Sequence, residues 1–154
     1  DLYVQHTLEI FREVRRVLMP GGSFSFNVWC SLAENPFGRT ARTSMSRFFA
    51  TDQPTFYDTP YGFHDQSVIR GLLGSAGFEI GFCEVVELQA SSPSALEAAR
   101  GAVTGNPVLK DIQERATAPV DVIIEAVAAA LAAEGGAAPL TLPMRALVVV
   151  ARAV

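Results

Sequence analysis

Two histidines, two cysteines and a concentration of aromatic rings are the side chains with chemistry to offer. His64 stands between a ring-rich stretch, 56–63, and Asp65. It could act as a general base towards a substrate hydroxyl, because imidazole is the side chain whose ordinary pKa permits proton transfer near neutral pH. Nothing in the sequence pairs with it, so a surface histidine at a helix start is the plainer alternative. His6 reads as structural. Trp29, Phe37, Phe56, Tyr57, Tyr61 and Phe63 make a second group. They either wall an apolar pocket for an aromatic or lipid-like molecule or anchor a loop to the core. Asp52 and Asp58 suit turn formation and solvation better than acid–base work. Cys30 and Cys83 lack zinc-type spacing and adjacent basic residues, which fits reduced, buried thiols in a cytoplasmic protein. No metal site is expected.

These residues need a scaffold, and the composition limits its kind. The 154 residues carry 12 basic against 16 acidic side chains, a formal charge of −4, with 49% hydrophobic and 18% charged content. That is an ordered chain of single-domain length, 1–154. An acidic balance argues against a non-specific nucleic-acid binder. No apolar run reaches the roughly 18 residues of a membrane span, and no signal-peptide pattern opens the chain. The expected partner is a small molecule.

Between 6 and 18, Leu8, Phe11, Val14, Val17 and Leu18 recur at three- and four-residue steps, which predicts an amphipathic helix capped by Thr7 or its neighbour. Pro20-Gly21-Gly22 stops it, and Ser23–Trp29 alternates at period two as a strand does. Asn35-Pro36-Phe37-Gly38 reads as a turn, 39–49 as a short helix and 56–63 as a loop. Val68, Ile69, Leu72, Leu73 and Ala76 predict a helix over 65–76, with Asp65 as N-cap and Gly77 as its stop. A second strand follows over 78–88. Residues 91–140 read as an insertion of three helices, starting near Pro93, Pro107 and Pro119 and ending at Gly135-Gly136. The chain closes on the apolar run Ala146–Ala151, as expected of a strand buried on both faces. Helix, turn and strand in succession define an α/β class.

Three segments resemble class I S-adenosylmethionine-dependent methyltransferases. Arg16-Val17-Leu18-Met19-Pro20-Gly21-Gly22 resembles the family's approach to its fifth strand, and Leu72-Leu73-Gly74-Ser75-Ala76-Gly77-Phe78 its approach to the sixth. Met144–Arg152 is similar to its final strand, and Asn35-Pro36-Phe37 after Trp29 fits a subgroup acting on small molecules. Together they cover nearly the whole chain, in the family's order.

The resemblance implies the C-terminal half of a Rossmann-like fold. It would hold three strands, the last antiparallel and central, with the two helices on one face and 30–63 and 91–140 as lid insertions. It implies methyl transfer to a small-molecule acceptor, with Tyr3 facing the cofactor cleft. The glycine-rich loop and the acidic residue that hold the cofactor in that family have no counterpart here. Pro20-Gly21-Gly22 is a helix-to-strand turn at the wrong end of the sheet for that task. Asp1–Val4 falls where the family has the loop after its fourth strand, and the chain opens on Asp1 rather than Met, as if cut there. S-adenosylmethionine is therefore the cofactor of the parent fold and is not expected to bind this chain alone. The missing half would come from a partner, or a homodimer would cover the exposed edge of strand 23–29. The competing expectation is a non-catalytic small-molecule-binding or dimerisation module derived from the same fold.

Overall fold

Alternation along Ser23–Trp29 produces a strand, β1, with Phe24, Phe26 and Val28 turned inward and Ser23, Ser25 and Asn27 exposed. In the computed structural model, which describes residues 2–154, β1 follows a helix α1 over Leu2–Val17. Asp1, the proposed cut point, lies outside the described residues. Leu2, Tyr3 and Val4 are already helical, so α1 starts earlier than its apolar stripe predicts. Thr7 is accordingly no cap: its hydroxyl donates to the Tyr3 carbonyl at 2.9 Å, a back-bond within the helix.

Helices α2 (Pro36–Ser46), α3 (Asp58–Gly62) and α4 (Gln66–Ser75) come next, then strand β2 (Phe78–Ser92). Helices α5 (Ala95–Thr104), α6 (Val108–Arg115) and α7 (Val120–Gly135) lead to β3 (Leu140–Ala153). Three differences from the sequence expectation have physical causes. The helix expected over 39–49 begins at Pro36, whose ring presets the backbone of a first helical position. The ring-rich loop contains α3. Strands β2 and β3 run to Ser92 and from Leu140, so the helical part of the insertion is shorter than 91–140.

The sheet order is β1-β3-β2, with β3 central and antiparallel to β1. The register runs from Ser23 opposite Arg152 to Trp29 opposite Ala146. This is the strand arrangement the resemblance implied.

The chain divides into two compact units. One comprises 1–30, 63–86 and 146–154; the other comprises 31–62 and 87–145. In the first, Phe11 of α1 and Ile69, Leu72 and Leu73 of α4 share a core with Phe78, Leu147, Val149 and Ala151. Phe11 meets Phe24 and Phe26 at ring-centroid distances of 5.6 and 5.4 Å, and Phe24 meets Phe78 at 5.6 Å. Each such pair contributes about 0.5–1.5 kcal/mol beyond its buried area. Both helices thus serve one sheet face. On the other, Val148 and Val150 are only half-buried, so β3 is not buried on both sides as its apolar run suggested.

Both glycine turns of this unit are held by the end of β3. Gly21 N–H donates to the Ala153 carbonyl and Ala153 N–H to that of Gly22, each at 2.9 Å. Val154 N–H donates to the Gly77 carbonyl at 3.1 Å. Gly77 has φ +84°, the left-handed backbone that ends α4, and Asp65 caps the helix start by accepting from Ser67 and Val68 amides at 2.7 and 3.3 Å.

In the second unit, α5 and α2 both pack on α7. Ala99, Ala102 and Val103 of α5, Ala41 and Met45 of α2, and Ile123, Val127 and Leu131 of α7 are all buried. Alanines at such contacts let helix axes approach closely. Among the described residues, no helix is long and apolar enough to cross a membrane.

Candidate functional site

The second unit contains an apolar cavity of about 150 Å³. Leu140, Leu142 and Met144 supply one wall from the start of β3, and Ala90, Ser91 and Ser92 another from the end of β2. Ala98 of α5 and Phe37 of α2 complete it. Two local devices set these walls. Asn35, only 1% exposed, donates from Nδ2 to the carbonyls of Ser31 (3.2 Å) and Arg145 (3.1 Å), while its Oδ1 accepts the Arg145 N–H at 2.9 Å. Its amide therefore binds β3 as a neighbouring strand would, fixing the residue two before Phe37 to the residue after Met144. Gly135, the last residue of α7, is the second device. A Cβ there would stand 2.4 Å from the Thr141 carbonyl and 2.7 Å from the Leu142 side chain. Only glycine allows α7 to end so close to the cavity wall.

Of the six rings singled out in the sequence, Phe37 lines this cavity. Tyr57 is buried, its hydroxyl donating to the Ala102 carbonyl at 3.1 Å, with Phe56 edge-on at 5.1 Å. Burial pushes the Tyr57 phenol up to about 12, so it stays neutral and serves as a donor, not as a base. Burial also raises the pKa of Tyr61. Its ring lies against Gly38, where a Cβ would come within 2.6 Å of the ring. Trp29 and Phe63 belong to the first unit. Trp29 is half-buried at the end of β1, and Phe63 packs edge-on against the exposed ring of Tyr3 at 5.6 Å. His64 is exposed beside Asp65, whose carboxyl is held below its ordinary pKa chiefly by the Ser67 hydroxyl.

Ion pairs brace the second unit. Arg42 binds Asp58 with two hydrogen bonds of 2.6 and 3.1 Å, tying α2 to α3. Arg115 joins Asp111 at 2.7 Å and also engages Asp52. Arg39 meets both carboxylate oxygens of Glu134 at 3.1 Å. Both aspartates of the sequence reading thus hold arginines. Cys30 and Cys83 are both buried. No group of three or more His, Cys, Asp or Glu that could hold a metal ion occurs among the described residues.

Sequence reasoning missed most of the cavity. Leu140, Leu142 and Met144 were placed at or before the edge of the last strand, and Ala90 and Ala98 are too small to draw notice. Asn35 read as a turn residue, because its partner is 110 positions away.

At the helix-to-strand turn before β1, the Gly21 amide and the Gly22 carbonyl are engaged by Ala153.

No protein-family model matches this chain, and no curated protein matches it. The chain is similar to a solved structure from Bacillus halodurans C-125, provisionally described as a methyltransferase. Identity is 13%, the TM-score is 0.44, and the match covers 94% of this chain. The chain spans 57% of that protein's length. A likeness this distant carries no argument about activity.

Proposed function

We propose that this chain is the C-terminal part of a class I methyltransferase fold, serving transfer of a methyl group from S-adenosylmethionine to a small-molecule acceptor. The observation that carries the proposal is internal to the chain. The two glycine turns that resemble the family lead into β1 and β2, and the segment resembling its final strand lies between them, antiparallel to β1. Methyl transfer asks chiefly for alignment of an acceptor lone pair with the methyl carbon, so positioning residues count for more than a catalytic triad. On this reading the cofactor-holding half is supplied by further chain or by a partner, and the free edge of β1 is where it, or a second copy, would pair. Trp29, Phe37, Phe56, Tyr57, Tyr61 and Phe63 are the proposed acceptor-side residues, with His64 as candidate base and Tyr3 towards the cofactor.

One observation favours a second reading, a non-catalytic binding module: the apolar cavity lies wholly within one unit. Calorimetric titration with S-adenosylmethionine, alongside a radiolabelled methyl-transfer assay on the complete gene product, separates the two. Methyl transfer by the complete product with no low-micromolar binding by residues 1–154 is expected. Low-micromolar binding by 1–154 would overturn the missing-half assignment, and a complete product that neither binds nor transfers would leave the binding module.

A further inference from the structure

The cavity bounded by Phe37, Ala98, Leu140, Leu142 and Met144 has the chemistry of a specific receptor, and that chemistry is narrow. No charged residue lines it. The two hydroxyls at its margin offer little, since Ser91 is largely exposed and the Ser92 hydroxyl already donates to the Ser94 carbonyl at 3.0 Å. The walls offer water few polar partners, so an apolar guest that displaces it gives up little hydrogen bonding. An ion would lose its hydration without compensation. What remains is a hydrocarbon group. The pocket is partly open to solvent, and its aliphatic and aromatic walls offer burial to an apolar group of about benzene size.

We propose that this cavity is a binding site for a small uncharged hydrocarbon group, of about the size of a benzene ring or a short branched alkyl chain. The inference stands on the cavity alone and does not depend on the methyltransferase assignment. Leu140 and Leu142 are buried and supply a fixed floor, whereas Phe37 and Met144 are half-buried. The unbranched Met144 side chain adapts readily to the outline of a guest. Ala90 and Ala98 create the space, so the volume is set by two positions where any larger side chain would intrude.

The test is a titration of the whole chain with benzene, followed by methyl NMR of Leu140, Leu142 and Met144 and by thermal unfolding. Shifts confined to those methyls are expected, with a rise in Tm at benzene saturation. Benzoate, of similar size but charged, is expected to bind at least tenfold more weakly. Ala98→Leu fills the space from α5 and is expected to abolish the response. Should Ala98→Leu fail to fold, Ala90→Leu fills it from β2 and is read in the same way. No methyl shift at saturating benzene, equal response to benzoate, or an undiminished response in a folded filled variant would each overturn the proposal.

Discussion

The two units of this chain are held together by different means. The first is a sheet face and two helices joined through contiguous rings and aliphatic side chains: Phe11, Phe24, Phe26 and Phe78 with Leu73 and Val149. The second places short helices around small residues and fixes them with polar links between distant positions. These are Asn35 to Arg145, Arg39 to Glu134, Arg42 to Asp58 and Arg145 to Glu87. Hydrophobic burial is non-directional and tolerates adjustment, whereas a buried amide must meet particular atoms. The core of the first unit is therefore set mainly by pattern, its polar links gathering at the end of β3, whereas the second relies more on pairing between side chains.

The largest test of that contrast removes the centre of the ring cluster. Phe11→Ala is expected to cost about 3–5 kcal/mol, as for other buried aromatic deletions. Amide exchange should show lost protection at Ile69 and Leu73, with Val127 retaining its own. Uniform loss in both units would erase the distinction. A smaller effect should come from Asn35→Leu, which keeps the volume but strands the Arg145 backbone groups. About 1–3 kcal/mol is expected, read from urea midpoints, because an unpaired buried polar group loses its full solvation. A loss below about 0.5 kcal/mol would mean that the pairing is incidental to the unit.

Smallest, and dependent on pH, is the Asp65 cap. The Ser67 hydroxyl, then the amides of Ser67 and Val68, hold its carboxyl below the ordinary value of 3.8. Its stabilising contribution is thus fully present above that value and is lost as pH falls through the folded-state pKa. The stability gap between the wild type and Asp65→Ala should be constant near neutrality and close on acidification. A gap that widened in acid would refute the assignment.

The same contrast explains what the sequence made legible. Helix α4, its Asp65 cap, its Gly77 stop and the inward face of β1 were all readable, because each depends on residues within a few positions. The central place of β3 followed both from the resemblance and from its continuous apolar run. Its half-buried outer face contradicts what a continuous apolar run suggests, since such a run reports hydrophobicity and not which side is covered. The cavity was hidden for a related reason. Asn35 and Arg145 meet across 110 positions, and the space between α5 and the strand ends is made by alanines that leave no periodic mark.

The bonds at the end of β3 also bear on how the chain acquires its structure. Arg15 donates to the Val154 carbonyl across 139 positions, and Arg152 to the Gly21 carbonyl across 131. Contacts of such separation are slow to form, because the entropy of closing the intervening loop is lost before the contact compensates for it. Helices α5, α6 and α7 need no such closure. On refolding, the second unit's helices should therefore precede the β1–β3 pairing, which leaves β1 as an uncharged, unpaired strand in the early collapsed state. Aggregation during folding would then be governed by the time β1 waits for β3, rather than by the stability of either unit once formed.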